Sequence, residues 1–445
     1  MSTFVVFLNE TILGVAMPHL MADLAVAAVA AQWLTTAFLL TMAIVIPVTG
    51  FLLQRLHTRQ VFLSAMTLFC LGTLIGSLAQ SFEVLLIARI VQAAGTAVMM
   101  PLLMTTVLNL VPIEKRGRTM GYIAIVMSVS PAIGPTISGL VLSILPWRFL
   151  FIVVLPVAFS ALALGAAKLP NVTTPKRIRI DVTSVLLSAV AFGGLVFGLS
   201  GLGGHSSSGT PALASIAAGI VFLGIFIARQ VVLQGSDEAL LDLRAFRSGT
   251  FAIAVAMIAM IMMVLFGTLI LLPIFMQTVL GLSTLSSGLL LLPGGLAMGL
   301  LGSVSGRLFD RFGPRPLLVP GTVILGGALW ALSSVSEVTS WRLLLAMHIA
   351  FSIGLAVILT PLFSAGLGSL SRSQYSHGSA VLGTIQQIAG AAGTALFIAV
   401  MTGVTDAQTS ASAGATAAGA RAAFACGAII VLPAIVGAFF VRKPK

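Results

Sequence analysis

Val48-Thr-Gly-Phe-Leu-Leu-Gln-Arg-Leu-His-Thr-Arg59 returns in register as Val304-Ser-Gly-Arg-Leu-Phe-Asp-Arg-Phe-Gly-Pro-Arg315. Val, Gly, Leu and two Arg recur at matching places, and Thr49 answers Ser305. Each copy follows a long apolar run, so each reads as the polar turn at the end of a membrane helix. A chain that writes this turn twice is built from two related halves. Counting the apolar runs between the copies then fixes the architecture.

Runs of about 18 to 25 apolar residues read as membrane-spanning helices, and fourteen are found. They cover 3–20, 32–53, 61–79, 84–108, 119–142, 149–167, 182–202, 211–228, 251–273, 287–306, 317–335, 341–363, 378–401 and 424–441. The two copies of the turn lie eight spans apart, whereas a plain duplication of six spans would give six. Two spans are therefore inserted between the halves. The reading is an all-α integral membrane protein with a six-helix half over 1–168, two inserted helices over 169–248 and a second six-helix half over 249–445. Internal repeats of this kind mark secondary transporters, whose substrate site lies near the midplane between the repeats.

Composition agrees. Of the 445 residues 58% are hydrophobic, mean hydropathy is +1.14, and only 8% are charged, against roughly 25% in a soluble domain. The net charge of +12 does not imply nucleic acid, because the basic residues fall in short clusters between apolar runs. Nineteen of the 23 lie on one side of the predicted spans. The positive-inside rule makes that side cytoplasmic, with both termini there. Trp33, Trp147 and Trp341 fall at the other ends of their spans, as an aromatic belt would. The first run has no small-residue cleavage site and reads as a retained span, with a start slightly truncated. Cys70 and Cys426 lie inside apolar runs and read as small core residues. Residues 203–210 read as a tight outer turn and 402–420 as a flexible outer loop.

Only two charged residues fall in the interior of the runs, Glu10 and Arg89, with Arg342 at the very start of its run. A charge at mid-membrane costs about 2.5 to 3.5 kcal/mol on insertion scales, so such a residue is functional by default. Glu10 lies about 15 Å from the outer end of its span and Arg89 roughly 8 to 10 Å from the outer end of its own, at 1.5 Å per residue. A dry environment favours a neutral carboxyl, and a nearby guanidinium favours the carboxylate. Surroundings that alternate between the two would load and unload a proton. Asn9, Gln92, His348, Gln386 and Gln387 are the remaining polar groups that could line a cavity or bond a neighbouring helix. His348 reads as the only histidine in the interior of a span, His19 standing at the end of its own.

Further motifs carry a resemblance. The repeated turn, with Gly50, Gln54, Arg55 and Arg59 in one copy and Gly306, Asp310, Arg311 and Arg315 in the other, resembles the signature loop of the major facilitator superfamily. Leu86-Ile-Ala-Arg-Ile-Val-Gln-Ala-Ala-Gly-Thr-Ala97 resembles its buried-arginine motif. Ser130-Pro-Ala-Ile-Gly-Pro-Thr-Ile-Ser-Gly139 resembles its antiporter motif, with Gly134, Pro135 and Gly139. Leu8-Asn-Glu-Thr-Ile-Leu-Gly-Val-Ala-Met-Pro18 and Pro146-Trp-Arg-Phe-Leu-Phe151 are similar to the 14-span drug:proton antiporters, among them lincomycin and multidrug exporters of Gram-positive bacteria. The resemblance implies alternating access in the cytoplasmic membrane of a bacterium. It implies export of a hydrophobic or amphiphilic small molecule against protons, with Glu10 as proton carrier, Arg89 as its tuner and the two turns as gates.

Three departures stand out. Gln54 takes the place of the usual Asp, which turns an ionic latch into a hydrogen bond. Ser130 and Ser138 replace two glycines. No carboxylate falls in spans nine to fourteen. An ATP-driven pump is excluded by the lack of any Gly-Lys phosphate-binding dipeptide, and a membrane enzyme by the lack of a catalytic cluster in the spans. No cofactor, metal or nucleic acid is expected, only the proton gradient, lipid and a small-molecule substrate, and nothing requires more than a monomer. A nutrient importer or facilitator, a sodium-coupled exporter and a non-transporting membrane sensor remain open on the residues alone.

Overall fold

The computed structural model of the chain describes residues 1–26, 28–112, 115–172, 175, 181–202, 210–236, 239–407 and 413–443. Among these residues fourteen α-helices form, one for every predicted run: α1 (Ser2–Asp23), α2 (Ala28–Arg55), α3 (Thr58–Ser77), α4 (Phe82–Leu110), α5 (Arg116–Leu142), α6 (Arg148–Lys168), α7 (Val182–Leu202), α8 (Thr210–Leu233), α9 (Gly249–Thr278), α10 (Thr284–Phe312), α11 (Arg315–Leu332), α12 (Trp341–Gly368), α13 (Tyr375–Asp406) and α14 (Ala413–Ala438). Twelve are long and apolar enough over their described residues to cross a membrane. Among the described residues, the sequence count of fourteen spans is therefore not confirmed. The other two helices are α1 and α5.

Helix starts are set by short polar side chains that satisfy a first-turn amide. Ser81 accepts from the Val84 amide, Ser248 from Phe251, Ser283 from Ser286 and Ser340 from Leu343. Prolines inside α2, α4, α6, α9, α10, α11, α12 and α14 do not end these helices. That is the usual tolerance in lipid, where neighbouring groups satisfy the freed carbonyls.

Within residues 1–168 the main packings are α3 on α4, α2 on α4, α1 on α5 and α3 on α6; within 249–443 they are α9 on α13, α10 on α12, α11 on α12 and α13 on α14. The two groups meet along two seams, α5 against α10 and α2 against α13. The inserted helices α7 and α8 pair closely through Gly194, Gly198 and Gly219, where small residues let backbones approach. α7 then packs on both α2 and α13, with Trp33 against Phe197 at 5.7 Å.

Whereas α1 begins deeper, its Phe4 level with Ser130 in the middle of α5, the ends of α2 and α10, the starts of α5 and α13 and the end of α14 share one end of the bundle, here called the basic end. There Asp181 caps α7 and receives both Nε and Nη2 of Arg229 from α8 at 2.6 and 2.8 Å. These hydrogen bonds, aided by the Ser184 hydroxyl, hold the Asp181 carboxyl down at about 2. Gln230 bonds Ser184 and accepts the Leu241 amide, which ties the inserted pair to the segment entering α9.

Two sequence expectations change. The stretch read as the outer loop 402–420 is mostly helix, since α13 runs to Asp406 and α14 starts at Ala413; alanine, abundant there, is the best helix former. Trp147 is 3% exposed and faces no lipid. Its indole donates to Asp23 at 2.8 Å, beside Arg148, which donates to Asp23 at 2.8 Å and to the Ala79 carbonyl at 2.9 Å. The predicted turn 203–210 lies outside the described residues except for Thr210. Both cysteines are free thiols.

Candidate functional site

Arg89 is 2% exposed and enters the polar layer between α1, α2, α3 and α4. Its Nη1 donates to Asn9 Oδ1 at 3.0 Å and to Gln92 Oε1 at 2.6 Å. Gln92 passes the chain on to Thr73 Oγ1 at 2.8 Å, and Thr73 ends it on the Phe69 carbonyl. The guanidinium lies over the Phe38 ring at 4.0 Å, a cation–π contact of about 2 kcal/mol or more where water is excluded. Glu10, half-buried, stands next to Asn9 on α1. No ion pair within 4.0 Å joins Glu10 to Arg89, although each feels the other's charge. The direct partner of Arg89 is therefore Asn9, and Glu10 stands free of a locked ion pair.

Helical spacing puts Thr3, Phe7 and Glu10 on one face of α1. Below Glu10 on that face, Phe7 lines a small cavity with Met42, Met99, Met100, Gln386 and Gln387. Its volume is about 40 Å³. That is room for a few water molecules, far below the roughly 300 to 1,000 Å³ of a drug-sized pocket. The halves are closed on each other here: Gln387 reaches Met42 across the seam at 3.7 Å. His348 lies apart from this cluster, with Nε2 3.3 Å from the Leu291 carbonyl and its ring stacked on Phe351.

The repeated turns form unequal contacts. Asp310, at the end of α10, accepts the Gly117 and Arg118 amides at 2.8 Å each. It caps the first turn of α5 from the other half, where a carboxylate meets both free amides and the positive helix end. Gly306 and Gly117 permit this approach, because a Cβ on either would collide with backbone or the Asp310 carboxylate. In the first copy Gln54 bonds side chains only: Ser376 Oγ at 3.2 Å and, more closely, His377 Nε2. Gly50 leaves room for His377 and Ala380. Arg55 lies over Phe51 and Arg311 over Phe312. Arg59 bonds the Ala166 carbonyl at the end of α6 and its own amide bonds Asn171. The gating role expected for Arg59 meets a contact inside the first half, not across a seam. Arg315 opens α11.

In the antiporter motif a Cβ on Gly134 would meet Thr11 of α1, so the close approach is real there. At Gly139 a Cβ would meet nothing within 4 Å. The side chain of Pro135 lies outside the described residues. Ser130 donates to the Phe4 carbonyl at 2.6 Å.

Several residues escaped the sequence reading. Phe38 and Thr73 complete the arginine's surroundings but are ordinary residues in apolar runs. His377 is 7% exposed in the first turn of α13, so His348 is not the only histidine within a helix. The predicted span began at Gly378, one residue past His377 and three past the helix start at Tyr375. Arg116 bonds the Leu108 and Val111 carbonyls at the end of α4 and reaches Tyr375 Oη of α13 at 3.2 Å; it reads as plain loop charge in sequence.

Comparison with known proteins agrees with this geometry. The sequence profile of the Major Facilitator Superfamily matches residues 1–394. The lincomycin resistance protein LmrB of Bacillus subtilis is 40% identical, over 99% of this chain and 94% of its own. The uncharacterized MFS-type transporter YcnB of the same species is 39% identical over 99% of this chain and 93% of its own. Among solved structures, the human organic anion transporter MFSD10 superposes with a TM-score of 0.71 over 98% of this chain and 97% of its own, at 16% identity. The chain thus belongs to the major facilitator superfamily and is a multi-pass membrane transporter.

Proposed function

We propose that the protein is a proton-coupled exporter of hydrophobic or amphiphilic small molecules, working by alternating access in a bacterial cytoplasmic membrane. The observation that carries the reading is Glu10. It is the one carboxylate in the interior of the apolar runs, held beside an Asn9–Arg89–Gln92 chain yet not locked to the arginine. A carboxylate in a permanent ion pair would be of little use as a carrier, since removing its proton or its partner would each be costly. A carboxyl near a guanidinium that is occupied by neutral groups can gain and lose a proton as water reaches it. The relatives' name, lincomycin resistance, supports a drug-like substrate.

Fourteen spans, both termini in the cytoplasm, a monomeric state and a six–two–six division belong to the same proposal. The closed basic end then faces the cytoplasm, with Asp310 and Gln54 as its two latches. A proton arriving at Glu10 from outside would displace the departing substrate, and its release inside would accompany the next loading. With a single membrane carboxylate, one monocation exchanged for one proton moves no net charge, whereas export of a neutral molecule per proton is electrogenic.

The test is drug accumulation in everted vesicles carrying wild type or Glu10→Gln. Wild-type uptake should collapse with a protonophore, and Glu10→Gln should lose proton-driven uptake at normal membrane abundance. Full uptake by Glu10→Gln sinks the proposal.

A further inference from the structure

At the basic end, between the α10–α11 turn and the C-terminal tail, lies an open surface cavity of about 580 Å³. Its charged lining residues are Arg315, Arg442 and Lys443, and no carboxylate side chain lines it. The cradle is built by the fold. Gly313 has φ +80 and turns the chain sharply out of α10, and the methylenes of Lys443 lie over it. The Lys443 ammonium donates to the Asp310 carbonyl at 3.0 Å, the favoured place for a cation at a helix C-terminus. The tail is thereby fixed beside the first residue of α11, Arg315. Around this positive cradle the surface is apolar: Phe312, Phe439 and Phe440 are 55%, 54% and 60% exposed.

A soluble anion would use the cations but not the aromatic rim, and an acyl chain would use the rim but not the cations. One ligand class uses both. We propose that the cavity binds the phosphate of an anionic phospholipid, with Arg315, Arg442 and Lys443 around the phosphate and the acyl chains along Phe312, Phe439 and Phe440. Basic pockets at the ends of membrane helices recognise headgroups in this way. Through Lys443 the site is tied to the carbonyl of Asp310, the residue whose carboxylate caps α5, so the lipid would sit close to the charged latch.

The experiment is native mass spectrometry and thermal unfolding of the purified full-length protein, titrated with phosphatidylglycerol, phosphatidylcholine or inorganic phosphate. Phosphatidylglycerol should be retained and should raise Tm, and neither of the other two should. The triple variant Arg315→Gln/Arg442→Gln/Lys443→Gln should bind phosphatidylglycerol on the order of a hundredfold more weakly, about fivefold per cation removed. A control triple at the same end, Lys168→Gln/Arg247→Gln/Arg372→Gln, should bind as wild type does. Equal loss in the control would show diffuse charge and overturn the site. Equal protection by inorganic phosphate or by phosphatidylcholine would overturn the lipid assignment. If the first triple unfolds without lipid, Lys443→Gln alone serves, and unchanged binding by it overturns the proposal.

Discussion

Arg89 shows how a buried charge is kept in a membrane without a salt bridge. Two amide oxygens and an aromatic face surround the guanidinium, and its Nε has no hydrogen-bond partner. Both bonds come from the single nitrogen Nη1, while the guanidinium lies over Phe38, and a lysine ammonium has no planar group to stack there. Arg89→Lys should reduce transport at least about tenfold while the protein still reaches the membrane, measured as vesicle uptake against membrane abundance. Asn9→Leu should act in the same direction, because it strips the arginine of an acceptor and costs about 1–3 kcal/mol for the donor left buried. The membrane charges were legible in sequence because lipid makes any intramembrane charge conspicuous. Phe38 and Thr73 were not, since nothing in an apolar run distinguishes the ring or hydroxyl that will meet a guanidinium from the ones that will meet lipid.

At the scale of helices, the inserted pair is held by Asp181 and Arg229. Hydrogen bonds from Arg229 and Ser184 place the Asp181 carboxyl at about 2 in the folded chain, against about 3.9 for a free aspartate. A depressed carboxyl stabilises the fold above its unfolded value and loses that contribution as pH falls through the folded one. The Tm difference between wild type and Asp181→Asn in detergent should hence be constant from pH 8 to about 5 and vanish between about pH 4 and 2. The helices were legible from apolar length, yet their ends were not. α13 starts three residues before the predicted Gly378 and α14 eleven before Phe424, because alanine-, serine- and threonine-rich stretches satisfy both a loop and a helix. The three-residue error at α13 hid Ser376 and His377, the partners of Gln54.

At the scale of the whole molecule, the repeated turn is what supports the proposed two halves and insertion, because duplication preserves spacing even where residues drift. It did not give the inequality of the seams. Asp310 meets two backbone amides of α5, whereas Gln54 meets only side chains of α13. Asp310→Asn removes the charge that favours the helix end, a change of about 0.5–2 kcal/mol. It should loosen the basic end, read as faster labelling of a cysteine placed at Ala124. Gln54→Asp should do the reverse across α2 and α13, slowing turnover.

The inequality also sets the shape of the motion. A body fastened firmly along one edge and lightly along the other opens like a book about its spine. Here the spine is α5–α10, where glycines bring backbones together, and the free edge is α2–α13. Spin labels across α2–α13 at the basic end should separate farther during turnover than labels across α5–α10, and Gln54→Asp should bring the two displacements closer together.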